Sequence, residues 1–264
     1  MELPLISILT PIYDRKSFLE LMLVNLESFS YDRFQMEWVI CDSYSKDGIV
    51  GTPLLSKTEL EEVKKRLSPI EVKYTYLKRQ MSIGEKRNWL VKNSSANICI
   101  NVDSDDIYVP EYLRYSVSLL KHHKKSCCGS PQMVFLFPSL GNKTTFLNCE
   151  TFRQIHEATM CFTKKHFKRM GGFETRGYGE GAKMVDGCDE KYFIKSNIQS
   201  CMICICHDDN SVNKDKWAAD EREVNIEMKH LERHMKAIEF IQSQNSPDLP
   251  SPQKIHDTIP ETPL

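Results

Sequence analysis

The chain has 264 residues, 41% of them hydrophobic and 27% charged, and its 35 basic residues balance 36 acidic ones. This length and composition predict a soluble globular protein with one large domain or two small ones. A net charge near zero gives no electrostatic indication of a nucleic-acid or membrane-surface partner.

Targeting segments and disulfides are not indicated by the sequence. No apolar run approaches the ~18 residues of a transmembrane helix, and the N-terminus lacks the features of a signal peptide. Several of the ten cysteines, among them Cys41, Cys99 and Cys161, lie in apolar strand-like runs. We therefore expect reduced, buried thiols rather than a disulfide framework.

Strand-like and helix-like segments alternate through residues 1–125. We predict strands at 5–9, 37–41, 70–77 and 98–102, and helices that begin near Ser17 and Glu20, Thr58 and Glu61, Ser82 and Glu85, and Pro110. This alternation predicts an α/β protein with a mostly parallel central sheet and helices on both faces.

The pattern changes after residue 125. We predict strands at 132–137, 144–149, 158–163 and 199–206, helices at 164–170 and 189–196, and an ordered glycine-rich loop at 173–188. The change divides residues 1–217 into halves at 1–125 and 126–217.

A stripe of apolar side chains marks the C-terminal region. Val224, Met228, Leu231, Met235 and Ile238 recur every three or four residues. This spacing predicts a helix within 218–244 that docks on its own domain, with a homodimer seam through 220–244 as the alternative. Five prolines and few apolar residues predict that 245–264 is a disordered tail.

Three carboxylates follow one buried strand within four positions. The apolar run 98–102 ends at Asp103, Asp105 and Asp106. Because charges this close repel unless a cation lies among them, we expect a divalent metal site that suits Mg²⁺ or Mn²⁺. An acidic turn that caps the next helix is the alternative.

Polar clusters follow three of the predicted strands, at 10–14, 42–47 and 103–106. In an open parallel sheet, ligands bind beyond the carboxyl ends of the strands. Three such clusters in successive units predict a shared cleft.

Ordered motifs give the chain a family resemblance. TPIYDR at 10–15, CDSYSKDG at 41–48, IGEKRN at 83–88, DSDD at 103–106, GGF at 171–173, Asp189-Glu190 and HDDNS at 207–211 resemble the landmarks of family 2 glycosyltransferases of the GT-A fold. The resemblance covers residues 5–217 and implies a nucleotide-binding half (1–125) and an acceptor-binding half (126–217). It implies an inverting enzyme that moves a sugar from a nucleotide-sugar donor, a UDP-sugar, to a hydroxyl of a glycan or glycoconjugate.

The resemblance also implies roles for the first two polar clusters. Thr10, Pro11 and Tyr13 would line the base pocket, and Asp42 would accept a hydrogen bond from the uracil N–H. Asp14 departs from the family, which carries Asn there more often. Structural roles in turns are the alternative for Pro11 and Asp42.

The basic segment before the acid cluster would offset the negative charge of the donor's diphosphate. Arg79 would bind the nucleotide, and Gly84 would permit close approach of the backbone. Arg87 and Asn88 would contact the nucleotide or brace the acidic loop. For Lys86, a position on a solvated helix face is the preferred interpretation.

By the same resemblance, the acids take unequal roles. Asp103 would contact the ribose and reach the metal through water, with Ser104 beside it among the nucleotide-binding residues. Asp105 would ligate the metal directly, and Asp106 would support it. His207 is the second candidate ligand, with a structural role as the alternative.

Transfer to a hydroxyl needs a general base, because an alcohol is a poor nucleophile until its proton is removed. The family supplies a carboxylate from a Glu-Asp pair. Here the order is reversed, and Asp189 is favoured over Glu190, with Asp186 close by. A loop with Asn210, Ser211 and Lys214 would close over the diphosphate, and Trp217 would stack on an acceptor sugar or pack in the core.

Three rival interpretations complete the expectations. Cys201, Cys204, Cys206 and His207 have a spacing that zinc sites use, but buried strand cysteines explain it better. A sugar-nucleotide nucleotidyltransferase would carry a glycine-rich basic loop after the first strand, where TPIYDR stands. A non-catalytic nucleotide- or glycan-binding protein would lack a working base. For the enzyme we expect a cytoplasmic setting, bacterial or virus-encoded.

Overall fold

The computed structural model describes residues 3–44, 52–149, 154–188, 190–207, 210, 214, 217–218 and 231–244. The predicted disordered tail at 245–264 and the first part of the predicted C-terminal helix lie outside the described residues. The division into two halves at residue 125 stays a prediction.

A seven-stranded sheet forms the centre of the protein. Its strands are β1 (Ile6–Ile12), β2 (Met36–Tyr44), β3 (Glu71–Gln80), β4 (Ile98–Asn101), β6 (Cys127–Gly129), β9 (Cys161–Thr163) and β10 (Phe193–Lys195). Their spatial order is β10-β6-β9-β4-β1-β2-β3, and every strand but β9 runs in the same direction. The predicted mostly parallel sheet is confirmed.

Alternate side chains of the central strands enter two hydrophobic cores, one on each face of the sheet. Along β1, Ile6, Ile8 and Ile12 enter one core and Leu9 enters the other. Helices α1 (Leu19–Ser28), α2 (Lys57–Leu67), α4 (Tyr112–His122) and α7 (Glu232–Gln244) pack in the first core, and α3 (Ile83–Asn93), α5 (Lys164–Met170) and α6 (Ala182–Val185) in the second. Helices therefore cover both faces, as predicted.

A second, four-stranded sheet joins distant parts of the chain. It contains β5 (Ile107–Tyr108), β7 (Gln132–Phe137), β8 (Lys143–Asn148) and β11 (Met202–Ile205), in the order β5-β11-β7-β8. Because β5 follows residues 103–106 directly and pairs with β11, the acid cluster lies close to the chain that leaves β11.

The start of α3 agrees with its predicted cap, whereas the start of α1 does not. Ser82 and Glu85 form a capping box, in which Glu85 N–H donates to Ser82 Oγ and Ser82 N–H to Glu85 Oε2. The box predicted for Ser17 and Glu20 is wrong. A 3₁₀ turn precedes α1, and the Glu20 carboxylate accepts hydrogen bonds from Arg66 instead.

The cap predicted for α2 at Thr58 and Glu61 is also wrong. The capping box is formed by Ser56 and Glu59, two residues earlier. Both pairs have the same spacing, so the sequence pattern alone does not distinguish them.

Two further predictions need correction. Strand β1 continues three residues beyond its predicted end at 9, because it pairs with β2 as far as Ile12. Strand β2 continues three residues beyond its predicted end at 41, because it pairs with β1 as far as Asp42 and with β3 as far as Tyr44. The helix predicted at 189–196 is wrong over its described part, where Phe193–Lys195 forms β10 along β6.

All ten cysteines lie within the described residues, and none forms a disulfide bond. Within the described ranges, none of the helices has the length and hydropathy that a membrane span requires. The described part of the C-terminal helix, α7, buries Ala237, Ile238 and Ile241 in its own chain's core, in agreement with the docking prediction.

Candidate active site

A cavity of about 350 Å³ lies at the carboxyl ends of β1 and β4. Parts of four segments line it: residues 11–15, the acid loop (residues 103–106), residues 156–158 and residues 177–180. Other lining side chains include those of Lys86, Arg87, Cys204, Asn210, Lys214 and Trp217. Two of the three predicted polar clusters, those at 10–14 and 103–106, therefore share one cleft.

Buried hydrogen bonds hold the acid loop in place. Asp106 is buried, its Oδ1 accepts from Ile205 N–H at 3.2 Å, and its main-chain oxygen accepts from Asn25 Nδ2 at 2.9 Å. Burial and the neighbouring Asp105 carboxylate raise the pKa of Asp106 to about 7. Asp106 thus fastens the loop to β11, which agrees with the supporting role expected for it, and Ser104 lies buried beside it on the cavity wall.

Arg87 bridges two acids from different segments. Its Nη1 and Nη2 donate to both oxygens of Asp103 at 2.9 Å, and its Nε donates to Glu180 Oε1 at 2.7 Å. The Arg87 side chain is only 2% exposed, so its charge is offset by buried partners rather than by water. Of the two roles expected for Arg87, the geometry favours bracing the acid loop.

Asn88 and Gly84 hold the segment that carries Glu180. Asn88 Nδ2 donates to Phe173 O at 2.8 Å, and Asn88 Oδ1 accepts from Phe173 N–H at 2.9 Å. A Cβ atom on Gly84 would lie 1.7 Å from Glu174 O. Gly84 therefore permits close approach of the backbone at Glu174, and the nucleotide-binding role expected for Gly84 stays a prediction.

We expect Gly84→Ala to lower the free energy of unfolding by about 1–3 kcal/mol, because the new methyl group would overlap a main-chain carbonyl. Chemical denaturation measures this loss. Gly177→Ala is the matched control, since a Cβ atom there meets no atom within 4 Å. Equal stability of the two variants would show that residues 174–176 do not pack on α3 as described.

Asp105 lines the cavity and contacts His207, which lies beside it. Asp105 Oδ2 lies 3.2 Å from His207 Nε2 and 3.5 Å from Arg15 Nη2. Burial opposes ionisation of Asp105, but its contact with His207 and the nearby cationic groups of Arg15 and Lys214 outweigh burial and hold the pKa of Asp105 below the ordinary value. The structure thus brings the two predicted direct metal ligands together.

The hydrogen bonds of His207 test whether a metal would fit. Asn210 Oδ1 accepts from His207 N–H at 2.8 Å, and Asn210 Nδ2 lies 2.8 Å from His207 Nε2. The first bond orients the amide, so Asn210 Nδ2 donates to the single lone pair of Nε2, and a metal ion would have to take the place of this donor. Two acceptors in contact favour a cation between them.

The donor set suits Mg²⁺ or Mn²⁺, which commonly take one or two protein ligands together with water and substrate phosphates. In the part of the chain that the structure describes, no cluster of three or more His, Cys, Asp or Glu side chains could hold a metal alone. Both oxygens of Asp103, the third predicted ligand, accept hydrogen bonds from Arg87. Cys201, Cys204 and Cys206 are buried, so the zinc interpretation gains no support.

Pro11, Tyr13 and Lys86 line one wall of the cavity. Lys86 Nζ donates to Ile12 O at 2.7 Å and lies 5.5 Å from the centroid of the Tyr13 ring. The solvated helix face expected for Lys86 is therefore wrong, because the side chain is buried. Burial lowers the pKa of Lys86 to about 8.

Five predicted nucleotide-binding residues do not line the cavity, namely Gly84 and Asn88 of α3 and also Thr10, Asp42 and Arg79. Thr10 is buried, and its Oγ1 accepts from Trp38 Nε1 at 2.9 Å. Asp42 Oδ2 accepts from Leu54 N–H at 2.8 Å and from the Tyr74 hydroxyl at 2.7 Å, and burial raises the pKa of Asp42. Arg79 is exposed near the end of β3.

Glu190, one of the two predicted general bases, is not brought to the acid loop. Glu190 is exposed, and its main-chain oxygen accepts from Lys125 Nζ at 2.7 Å. Glu190 precedes β10 and Lys125 precedes β6, so both lie at the amino ends of these parallel strands, opposite the cavity. Asp189, like Ser211, lies outside the described residues.

Trp217 and Lys214 lie where the chain passes the cavity after β11. The Trp217 ring stacks on Phe135 with centroids 4.8 Å apart, and both side chains line the cavity. Lys214 Nζ donates to Cys204 Sγ at 2.9 Å, and its neighbours raise the Lys214 pKa despite burial. Lys214 therefore adds a positive charge beside the acid loop.

Sequence reasoning missed four charged or polar residues of this site: Arg15, His156, Glu157 and Glu180. Glu157 begins a 3₁₀ helix, Glu157–Thr159, in a region expected to be strand. Glu180 lies in the glycine-rich loop, and only its partner Arg87 indicates its importance. Nothing in the local pattern around either glutamate signals a site.

Comparisons with known proteins agree with this architecture. The family model described as Glycosyl transferase family 2 matches residues 7–173, well over half of the chain. No curated protein sequence matches the chain.

Solved structures with the same fold share little sequence with the chain. The mannosyltransferase PcManGT from Pyrobaculum calidifontis, in complex with GDP-Man and Mn²⁺, has a TM-score of 0.60 at 15% identity, covering 83% of this chain and 60% of that chain. TarS 1-349 of S. aureus in complex with UDP-GlcNAc has a TM-score of 0.56 at 15% identity, covering 78% and 60%. The chain thus spans about 60% of the length of these structures. At this identity the likeness shows the fold, which is the predicted GT-A fold.

Proposed function

The chain belongs to glycosyltransferase family 2, and from that premise we propose that it transfers a sugar from a nucleotide-sugar donor to a hydroxyl group of a glycan or glycoconjugate. We propose further that the reaction inverts the anomeric carbon, requires a divalent metal and uses a UDP-sugar.

One observation carries the proposal: the acid loop shares a single cavity with the cationic side chains Arg15, Lys86 and Lys214, and Asp105 of this loop contacts His207. A nucleoside diphosphate carries about two negative charges, which basic groups and a metal ion offset. A cavity that presents carboxylates beside several cations suits a charged donor that binds together with a metal.

Asp105 and His207 would hold Mn²⁺ or Mg²⁺, and Asp103 would act through water or the ribose. When bound, such an ion stabilises the charge that develops on the departing diphosphate. The chain's own residues orient and neutralise the donor: Arg87 fixes Asp103, while Lys86 and Lys214 lie where phosphate oxygens would be bound. Pro11 and Tyr13 would form part of the base pocket.

The donor class is supported by the relatives. PcManGT was crystallised with GDP-Man and TarS with UDP-GlcNAc. Asp42 can still serve a uracil base if its bonds to Leu54 and Tyr74 exchange on binding, because a carboxylate accepts more bonds than these.

The test is to incubate the protein with Mn²⁺ and each of UDP-glucose, UDP-galactose, UDP-GlcNAc and GDP-mannose, and to measure nucleoside diphosphate release. We expect slow release from one donor even with water as the acceptor, and loss of that release when EDTA removes the metal. No release from any of these donors, together with no calorimetric binding of UDP, would falsify the proposal.

A non-catalytic nucleotide-binding protein is the second candidate. The remote position of Glu190 favours it, because this member of the predicted pair does not reach the cavity. UDP binding without turnover of any donor would support this candidate. Neither family membership nor the hydrogen bonds of the acid loop supports the third candidate, a sugar-nucleotide nucleotidyltransferase.

A further inference from the structure

The proposed reaction needs a base at the cavity, and the structure offers five carboxylates there within the described residues: Asp103, Asp105, Asp106, Glu157 and Glu180. Each must be judged by what its oxygens already contact. A base must be able to reach the proton that it removes and must not be tied to a permanent positive charge.

Four of the five have other partners. Both oxygens of Asp103 accept from Arg87, and Glu180 accepts from the same guanidinium. Asp106 is 4% exposed and bonded to the β11 backbone. Asp105 faces His207 and Arg15 at the proposed metal position.

Glu157 differs in its contacts. Its Oε1 accepts a hydrogen bond from Gly181 N–H at 3.1 Å, which is a neutral donor. Its main-chain oxygen accepts from Asn101 Nδ2 at 2.8 Å. Asn101 ends β4, two residues before Asp103, so this bond holds Glu157 beside the acid loop.

Gly181 shows that the Glu157 side chain fills a defined space. A Cβ atom built on Gly181 would lie 2.5 Å from Glu157 Cγ and 3.1 Å from its Oε1. Real Cβ atoms do not approach other atoms to 2.5 Å, so the absence of a side chain at 181 makes room for Glu157. Gly181 itself has φ −78°, a conformation open to any L-residue.

We propose that Glu157 is the general base of the transfer, in the place that a side chain from position 181 would otherwise fill. This inference depends on the proposed function. A Glu157 oxygen takes the proton of the acceptor hydroxyl as that oxygen forms its bond to the anomeric carbon. The bond from this carbon to the diphosphate breaks, and the bonding pair leaves with the nucleoside diphosphate.

The electrostatic setting supports the role. Burial, together with the nearby Glu180 carboxylate, raises the pKa of Glu157 to about 7. A base in this range accepts a proton readily and still ionises near neutral pH. Turnover should therefore rise with pH through about 7, as Glu157 loses its proton.

The experiment compares variants on the donor that the wild-type protein turns over, with water as acceptor and Mn²⁺ present. We expect Glu157→Gln to lower kcat by about 10²–10⁴-fold and to remove the acid limb of the pH profile. The KM for donor and the calorimetric affinity for UDP should stay near wild type. Glu62→Gln on the exposed face of α2 is the charge-matched control and should keep full activity.

A second pair of variants tests whether a carboxylate at position 181 can replace the one lost from Glu157. The double variant Glu157→Ala with Gly181→Asp should be at least about tenfold more active than Glu157→Ala alone, because the emptied space admits the new side chain. The double variant Glu157→Ala with Gly181→Asn carries a side chain of the same size as Asp that cannot act as a base. It should be no more active than Glu157→Ala alone. These readouts separate proton transfer from folding.

Each outcome has a distinct meaning. An active wild type whose Glu157→Gln variant keeps its kcat and pH profile overturns the base assignment alone, as would equal recovery by Asp and Asn at 181. A large loss in Glu190→Gln with none in Glu157→Gln would return the role to the 189–190 pair. A wild type that turns over no donor overturns the proposed function and the base assignment with it.

Discussion

Replacing Arg87 by Met should lower the free energy of unfolding by about 3–5 kcal/mol, the usual cost of removing one partner from a buried charge cluster. Asp103 and Glu180 would keep their positions but lose the guanidinium that satisfies both. The Glu180 side chain is 4% exposed, so water cannot replace the lost hydrogen bond fully. Urea denaturation of the two proteins measures the difference.

Arg66 offers a matched control for this prediction. It also binds two carboxylates, those of Glu20 and Glu27, but its side chain is 34% exposed. We expect Arg66→Met to cost about 1 kcal/mol or less, because exposed ion pairs contribute little. The double variant Arg87→Met with Glu180→Gln should recover part of the loss, since it removes one unpaired charge. Similar losses for Arg66→Met and Arg87→Met would mean that the Arg87 cluster is open to solvent.

Replacing Asp105 by Asn should abolish Mn²⁺-dependent binding of UDP and lower donor turnover by about 10²–10³-fold. The amide keeps the size of the carboxylate but lacks the charge that holds a divalent cation. Arg15 and His207 would also lose their anionic neighbour. Calorimetry with UDP, in the presence and absence of Mn²⁺, separates the metal-dependent part of binding from the rest.

Asp32→Asn is the control for this change. Asp32 caps a 3₁₀ helix away from the cavity by accepting from Phe34 N–H, and Asn caps equally well. We expect this variant to bind UDP and Mn²⁺ like the wild type. If Asp105→Asn keeps Mn²⁺-dependent UDP binding, the proposed metal position at Asp105 and His207 is wrong.

Helices and strands could be predicted where the sequence pattern involves residues that are close together along the chain. Ser82 and Glu85 cap α3 as expected, and residues 132–137 and 164–170 form the predicted strand and helix. The competing pairs at the start of α2 show the limit of this reasoning. Thr58-Glu61 and Ser56-Glu59 have identical spacing, and only the hydrogen bonds observed in the structure distinguish them.

Side chains with distant partners could not be predicted in the same way. Lys86 follows a helix pattern with charged neighbours, yet its ammonium group turns inward to Ile12 O, 74 residues away. Arg87 meets Glu180 across 93 residues and Asp105 meets His207 across 102. Family resemblance pointed to His207 because a motif marked it, and no motif marked Glu157 or Glu180.

By itself, the sequence determined the class of fold, the family and the acid loop at the end of β4, because these follow from local periodicity and from ordered motifs. The tertiary structure decided which charges meet. Pairing of β5 with β11 brings His207 to Asp105, and the close approach at Gly84 brings Glu180 to Arg87. Contacts of this kind depend on the path of the backbone between distant residues, and a local pattern carries no information about that path.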